Sequence, residues 1–249
     1  MKKIIIPFLY LFCLHSFSIY AQSLDQILKS HSKAMGFEKL KEIETIVIIG
    51  ENYMGDQTVP FKTMIQKPSK YYHELMFMRR KMIKVLDGEK AWSMSPMSGI
   101  TNIYGTQLRL LKKNIEYGGL LFKREKKSLS IVLDGTELID GDKVFKLMVT
   151  DQDSLRTDVF IDSKSYYIIK QTTKRVFQGD TISATVLFSN YKVIDGIAVA
   201  FTTKTISDKE ISGDESRQMG GGIMEIKSIT FNKPIDESIF IKPVIKPWK

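Results

Sequence analysis

The sequence predicts a mainly β (α+β) fold, a half-open antiparallel β-barrel of about 11–12 strands with helices lidding its concave face. From Thr45 to Phe231 the chain is a succession of short runs rich in Ile, Val, Thr, Tyr and Phe. Asp-Gly pairs punctuate these runs at Asp87-Gly88, Asp134-Gly135, Asp140-Gly141 and Asp195-Gly196, the signature of consecutive hairpins. Only two stretches carry a helical rhythm. Two helices cannot cover both faces of so broad a sheet, so the sheet must curl upon itself.

The elements follow in order. Met1-Lys2-Lys3 and the apolar stretch Ile4 to Leu14, ending in Ile19-Tyr20-Ala21-Gln22, form a secretory signal peptide with cleavage expected near Ala21. The apolar run is short of the roughly 20 residues of a spanning helix. Cys13 offers a rival reading as a lipidated cysteine, but bulky Phe12 precedes it where lipoprotein processing wants a small residue. Leu24, Ile27, Leu28, His31, Ala34 and Met35 then recur at helical spacing, with Ser23 and Gln26 placed as a capping box and Gly36 as the stop.

Strands are expected at Thr45–Tyr53, Thr58–Gln66, Lys70–Met78, Lys81–Leu86, Lys90–Ser95, Leu129–Glu137, Lys143–Thr150, Leu155–Ile161, Ile168–Phe177, Ile182–Val193, Ile197–Ser207 and Gly222–Phe231. A second helical segment falls within Thr106 to Lys127, where Leu108, Leu111 and Ile115 share a face before Gly118-Gly119. Ser207 to Gly222 reads as a polar loop. No repeat or linker divides the chain, so residues 22–249 are expected to be a single domain.

Removing the leader leaves 228 of the 249 residues and no cysteine, which excludes disulfides and thiolate metal sites. It also leaves 35 basic against 28 acidic residues, a net +7 that favours acidic partners such as anionic head groups. Nucleic acid is not expected as a partner of an exported chain. Catalysis is not expected either: His31 and His73 have no carboxylate pair at ligand spacing, and His31 reads as an interior-edge histidine. Gly220-Gly221-Gly222 lacks the Lys-Ser or Lys-Thr of a phosphate loop. No cofactor and no metal is expected.

Several pieces together carry a family resemblance. They are Ala34-Met35-Gly36 before Lys39-Leu40-Lys41-Glu42-Ile43, Lys67-Pro68-Ser69-Lys70, Leu86-Asp87-Gly88 with Trp92, and Val144-Phe145-Lys146-Leu147. Phe160-Ile161-Asp162, Tyr191-Lys192-Val193-Ile194-Asp195-Gly196, Ile229-Thr230-Phe231-Asn232 and Phe240-Ile241-Lys242-Pro243 continue them. In this order they resemble the LolA-like family of outer-membrane lipoprotein-sorting proteins, from about Ser23 to Pro243. Phe37, Ala200 and Ser128 depart from its pattern, Phe37 and Ser128 standing where glycine is expected. The resemblance implies an incomplete barrel whose apolar concave face holds acyl chains, and a periplasmic carrier or chaperone of lipoproteins or lipids. An envelope sensor or scaffold that uses the same fold to bind a protein partner is the alternative.

Methionine and aromatic side chains suit a deformable acyl-binding surface, and Met64, Met76, Phe77, Met78, Met82, Trp92, Met94 and Met97 concentrate in one third of the chain. Since side chains alternate across a strand, one parity of each strand faces inward. Met64, Leu75, Phe77, Ile83, Val85 and Trp92 are the expected acyl-chain lining. Arg79, Arg80, Lys81 and Arg109 are the expected contacts to lipid head groups or to an inner- or outer-membrane protein partner, set against the plainer reading of a solvated basic rim. The segment Lys123 to Lys127 reads as exposed charge.

Overall fold

A computed structural model of the chain describes residues 22–122, 124, 128–152, 155–177, 180–207 and 222–243. The expected signal peptide, the bulk of the 207–222 loop and most of the Lys123 to Lys127 run lie outside these residues. The first helix, α1 (Leu24–Met35), begins with the predicted capping box: Ser23 Oγ accepts from the Gln26 N–H, and the Gln26 side chain accepts from the Ser23 N–H. Gly36 ends α1 in the left-handed region (φ 70°) and starts the short α2 (Phe37–Lys41). The third helix, α3 (Gly105–Lys113), occupies the second segment of helical rhythm.

Strands β1 (Thr45–Met54), β2 (Gln57–Gln66), β3 (Lys70–Phe77), β4 (Arg80–Asp87), β5 (Lys90–Ser95) and β6 (Gly99–Asn102) precede α3. After it come β7 (Ser130–Ile139), β8 (Asp142–Thr150), β9 (Arg156–Asp162), β10 (Ile168–Phe177), β11 (Asp180–Ile194), β12 (Ile197–Ser207) and β13 (Gly222–Phe231). They make one 13-stranded antiparallel sheet in the order β6-β5-β4-β3-β2-β1-β13-β12-β11-β10-β9-β8-β7. Every pairing joins consecutive strands except where β13 returns to pair with β1 and closes the two meanders into one surface, leaving β6 and β7 as the two edges.

A twisted sheet of this breadth must curl. A bulge at Ile49/Gly50 bends it where β1 meets β13. Gly50 serves the same bend: a Cβ there would lie 2.5 Å from the Phe61 ring and 2.4 Å from the Glu225 carbonyl oxygen. Since β6 and β7 do not pair, the barrel is half-open, with helices on its concave face.

Two expectations need correction. The sheet contains β6, too short for alternation to reveal. Asp134-Gly135 is not a hairpin turn but lies inside β7, where the register to β8 shifts between Leu133 and Thr136 and Gly135 takes φ 90°. The sequence signal of a hairpin and that of a glycine bulge are the same residue type at positive φ. Of the family departures, Ser128 keeps the left-handed backbone expected of the glycine it replaces (φ 47°), and Phe37 is buried edge-on between His31 and Phe122.

The core has three parts. One joins α2, α3 and the concave faces of β1–β5, β12 and β13 through Phe37, Leu40, Ile46, Phe61, Tyr71 and Phe201. A second joins α1 to β8–β10 through Ile27, Leu28, Leu147, Val159 and Ile161. The third lies on the opposite, convex face, where Tyr72, Val85 and Trp92 pack under Phe240 of a C-terminal 3-10 turn (Glu237–Phe240).

Candidate functional site: the concave face at its open end

The helices are tied to one end of the half-barrel. His31 of α1 donates from Nδ1 to the Tyr166 carbonyl oxygen in the β9–β10 turn (2.7 Å). Its Nε2 is buried without a partner among the described residues, and burial lowers its pKa. The α1–α2 joint touches the β11–β12 turn so closely that a Cβ on Gly36 would sit 2.1 Å from the Gly196 carbonyl oxygen. Lys67 Nζ in the β2–β3 turn donates to the Leu40 carbonyl oxygen (3.0 Å). Lys112 of α3 pairs with Glu89 in the β4–β5 turn at 2.6 Å. Strand direction puts all these turns at the same end, which the helices plug.

Toward the other end the concave face continues as Phe61 on β2, Leu75 and Phe77 on β3, Met82 on β4, Met224 on β13 and Phe201 on β12. The register sets Leu75 opposite both Phe61 and Met82. Phe61 and Phe201 form a buried floor, while Leu75, Phe77, Met82 and Met224 stay half-buried. This is a trough of adaptable apolar side chains.

A polar pair, His73 and Thr63, sits in its floor. His73 shares a hydrogen bond with Thr63 (Nδ1 to Oγ1, 2.8 Å), stacks on Tyr71 and lies 6.0 Å from the Phe61 ring. Burial, helped by the nearby Lys84 ammonium, pushes its pKa down to about 4, so the imidazole is neutral at physiological pH. The trough is edged by cations: Lys84, opposite His73 in the register, is exposed, and exposed Lys192 holds its ammonium 4.2 Å over the Phe201 ring.

The expected lining residues do not share this face. Leu75 and Phe77 are on it. Met64, Ile83, Val85 and Trp92 have the opposite parity and belong to the convex cluster, where Trp92 Nε1 donates to the Phe240 carbonyl oxygen (3.1 Å). The expected basic contacts are also divided. Arg79, Arg80 and Lys81 occupy the β3–β4 tip at the open end, with Lys81 paired to Glu74 at 3.2 Å. Arg109 lies on α3 at the plugged end, bonded to Thr106 Oγ1 (2.9 Å) and separated from the tip by the length of β4, about 25 Å at ~3.3 Å per residue. Phe61, His73 and Met224 were missed, although His73 keeps the alternation Tyr71, His73, Leu75, Phe77 that would have placed it.

The convex side carries a separate cavity of about 480 Å³ between β1, β2, β13 and the segment leading to the 3-10 turn. Its apolar wall of Val47, Ile49, Met64 and Ile235 is broken by Lys62, Ser228, Thr230 and Asp236. A long alkyl chain there would leave those polar groups facing hydrocarbon, whereas His73 and Thr63 in the concave floor satisfy each other. Among the described residues no helix is long and apolar enough to cross a membrane, and no cluster has the makings of a metal site.

Comparison with known proteins gives fold. No family model and no curated protein matches the chain. Solved structures do. A LolA superfamily protein of Nitrosomonas europaea aligns with a TM-score of 0.58 at 13% identity over 89% of this chain and 99% of that one. A DUF1329 family protein of Desulfovibrio piger aligns at 0.54 and 15% identity over 86% and 97%. A putative outer membrane lipoprotein-sorting protein domain of Vibrio parahaemolyticus aligns at 0.52 and 13% identity over 85% and 97%. The chain has a LolA-like fold.

Proposed function

We propose that this protein is an exported periplasmic carrier or chaperone that binds the acyl chains of a lipid or lipoprotein non-covalently along the concave trough. The observation that carries this reading is the half-buried row Leu75, Phe77, Met82 and Met224, which continues the core toward the end away from the helices. A row of this kind gains from a covering hydrocarbon, at about 0.8 kcal/mol for each methylene removed from water. The fold shared with a protein described as a putative lipoprotein-sorting domain is consistent with it. Lys84 and Lys192 at the trough edges suit an anionic head group.

Because the α1–α2 joint is held against Gly196, cargo enters and leaves through the open end, with no lifting of the helices. The residues bind and orient, and the reading needs no cofactor and no chemical step. The test is native mass spectrometry of protein purified from the periplasm without detergent, followed by extraction of whatever is bound. A stoichiometric lipid or acylated peptide supports the carrier. A mass that stays free of ligand when lipid is supplied contradicts it and favours a scaffold that binds a protein partner.

A further inference from the structure

Antiparallel order brings the β1–β2, β3–β4 and β5–β6 hairpin tips to the same end of the sheet, the open one. Each tip exposes a methionine: Met54 is 50% exposed, Met78 70% and Met97 95%. Tips two strands apart are spaced by roughly 10 Å, so the three form a row along the mouth of the trough. Arg79 and Arg80 stand beside Met78 and have no ion-pair partner among the described residues. Asp56 is the acidic residue of these tips.

The β3–β4 turn adds an independent sign. Met78 and Arg79 both have positive φ, 49° and 61°. A two-residue turn of that shape favours Asn-Gly, because residues with longer side chains are strained there. Here the strained apex holds a large apolar and a cationic side chain, both turned to solvent. Strain of this kind persists where the side chains serve a purpose other than folding.

We propose that this row is a membrane-docking rim that seats the open end of the trough on an anionic lipid bilayer, the methionines entering the interface and Arg79 and Arg80 meeting lipid phosphates. Apolar side chains beside cations are the combination that partitions into such a surface. The rim goes beyond the carrier reading, since docking needs no cargo, but it gives the carrier a geometry. Phe77 lies opposite Arg80 in the register, so a chain sliding out of the trough passes between the tips into the bilayer.

The test is flotation of the purified protein with vesicles of phosphatidylglycerol and phosphatidylethanolamine, and with vesicles of phosphatidylcholine alone. The protein is expected to float with the anionic vesicles, less at high salt, and poorly with the neutral ones. The double substitution Met78→Asn with Arg79→Gly is expected to raise the melting temperature by relieving the turn while lowering flotation roughly tenfold, and Met97→Ser to lower it further. Affinity for a fluorescent fatty acid in the same variants is expected to be unchanged. Absence of flotation with anionic vesicles overturns the proposal, including the case where only a membrane protein retains the chain. Flotation that survives the tip substitutions overturns it equally. Normal flotation without fatty-acid binding supports the rim and counts against the carrier alone.

Discussion

The two faces of β2–β5 are built from the same kinds of residue and end in opposite states. On the convex face Tyr72, Val85 and Trp92 are closed over by Phe240, with the indole N–H satisfied by a backbone carbonyl oxygen of the covering turn. On the concave face Phe61 and Tyr71 begin an equally apolar surface under α2 and α3, but Leu75, Phe77 and Met82 continue it beyond the helices' anchor points. A face that the chain covers with its own side chains is core. A face that it leaves half-covered is available to something else. The distinction lies in what packs on the strand and not in the strand's composition.

The largest effect expected from breaking this contrast is on the closed face. Trp92→Ala removes a buried indole and orphans the Phe240 carbonyl oxygen, and should cost about 3–5 kcal/mol in urea denaturation. Next comes the helix anchor. Gly36→Ala meets both a positive φ and the Gly196 carbonyl oxygen, and should cost about 2–3 kcal/mol by the same measurement.

The neutral His73 gives a pH dependence of similar size. Its pKa is about 4 in the folded protein against an ordinary 6.5, so between those values the unfolded chain binds the proton and the folded one does not. Stability from this residue is complete above about pH 6.5 and falls by about 2–3 kcal/mol as pH drops toward 4. His73→Gln should flatten that slope in part, His31 adding to it in the same direction. Removing the cap oxygen in Ser23→Ala should cost about 1 kcal/mol.

Much of the fold was legible. The Ser23/Gln26 box, the Gly36 stop, the Asp87-Gly88, Asp140-Gly141 and Asp195-Gly196 turns and nearly all strands follow from local patterns that the structure keeps. The site was less legible, for a physical reason. Alternation identifies the inner face of a strand only when the outer face is polar. In β3 both Tyr71 and Tyr72 are buried, and in β4 both Val85 and Leu86, so parity carries no sign. The deciding residue is Phe240, which bonds Trp92 from 148 positions away. The basic residues were grouped by type, while topology sends Arg79 and Arg109 to opposite ends of the sheet.

The open stretch of the concave face is where the acyl chain is proposed to lie. The smallest effect on stability, and the most direct test, comes from Phe77→Asp, set beside Ile49→Asp on the exposed convex surface. The measurement is titration of each variant with a fluorescent long-chain fatty acid, with urea midpoints recorded alongside. Phe77→Asp is expected to stay folded and to lose binding by a hundredfold or more, on the order of 3 kcal/mol, while Ile49→Asp binds as the parent does. Unchanged binding in Phe77→Asp, or loss confined to Ile49→Asp, would rule out the concave trough and move the site to the convex cavity.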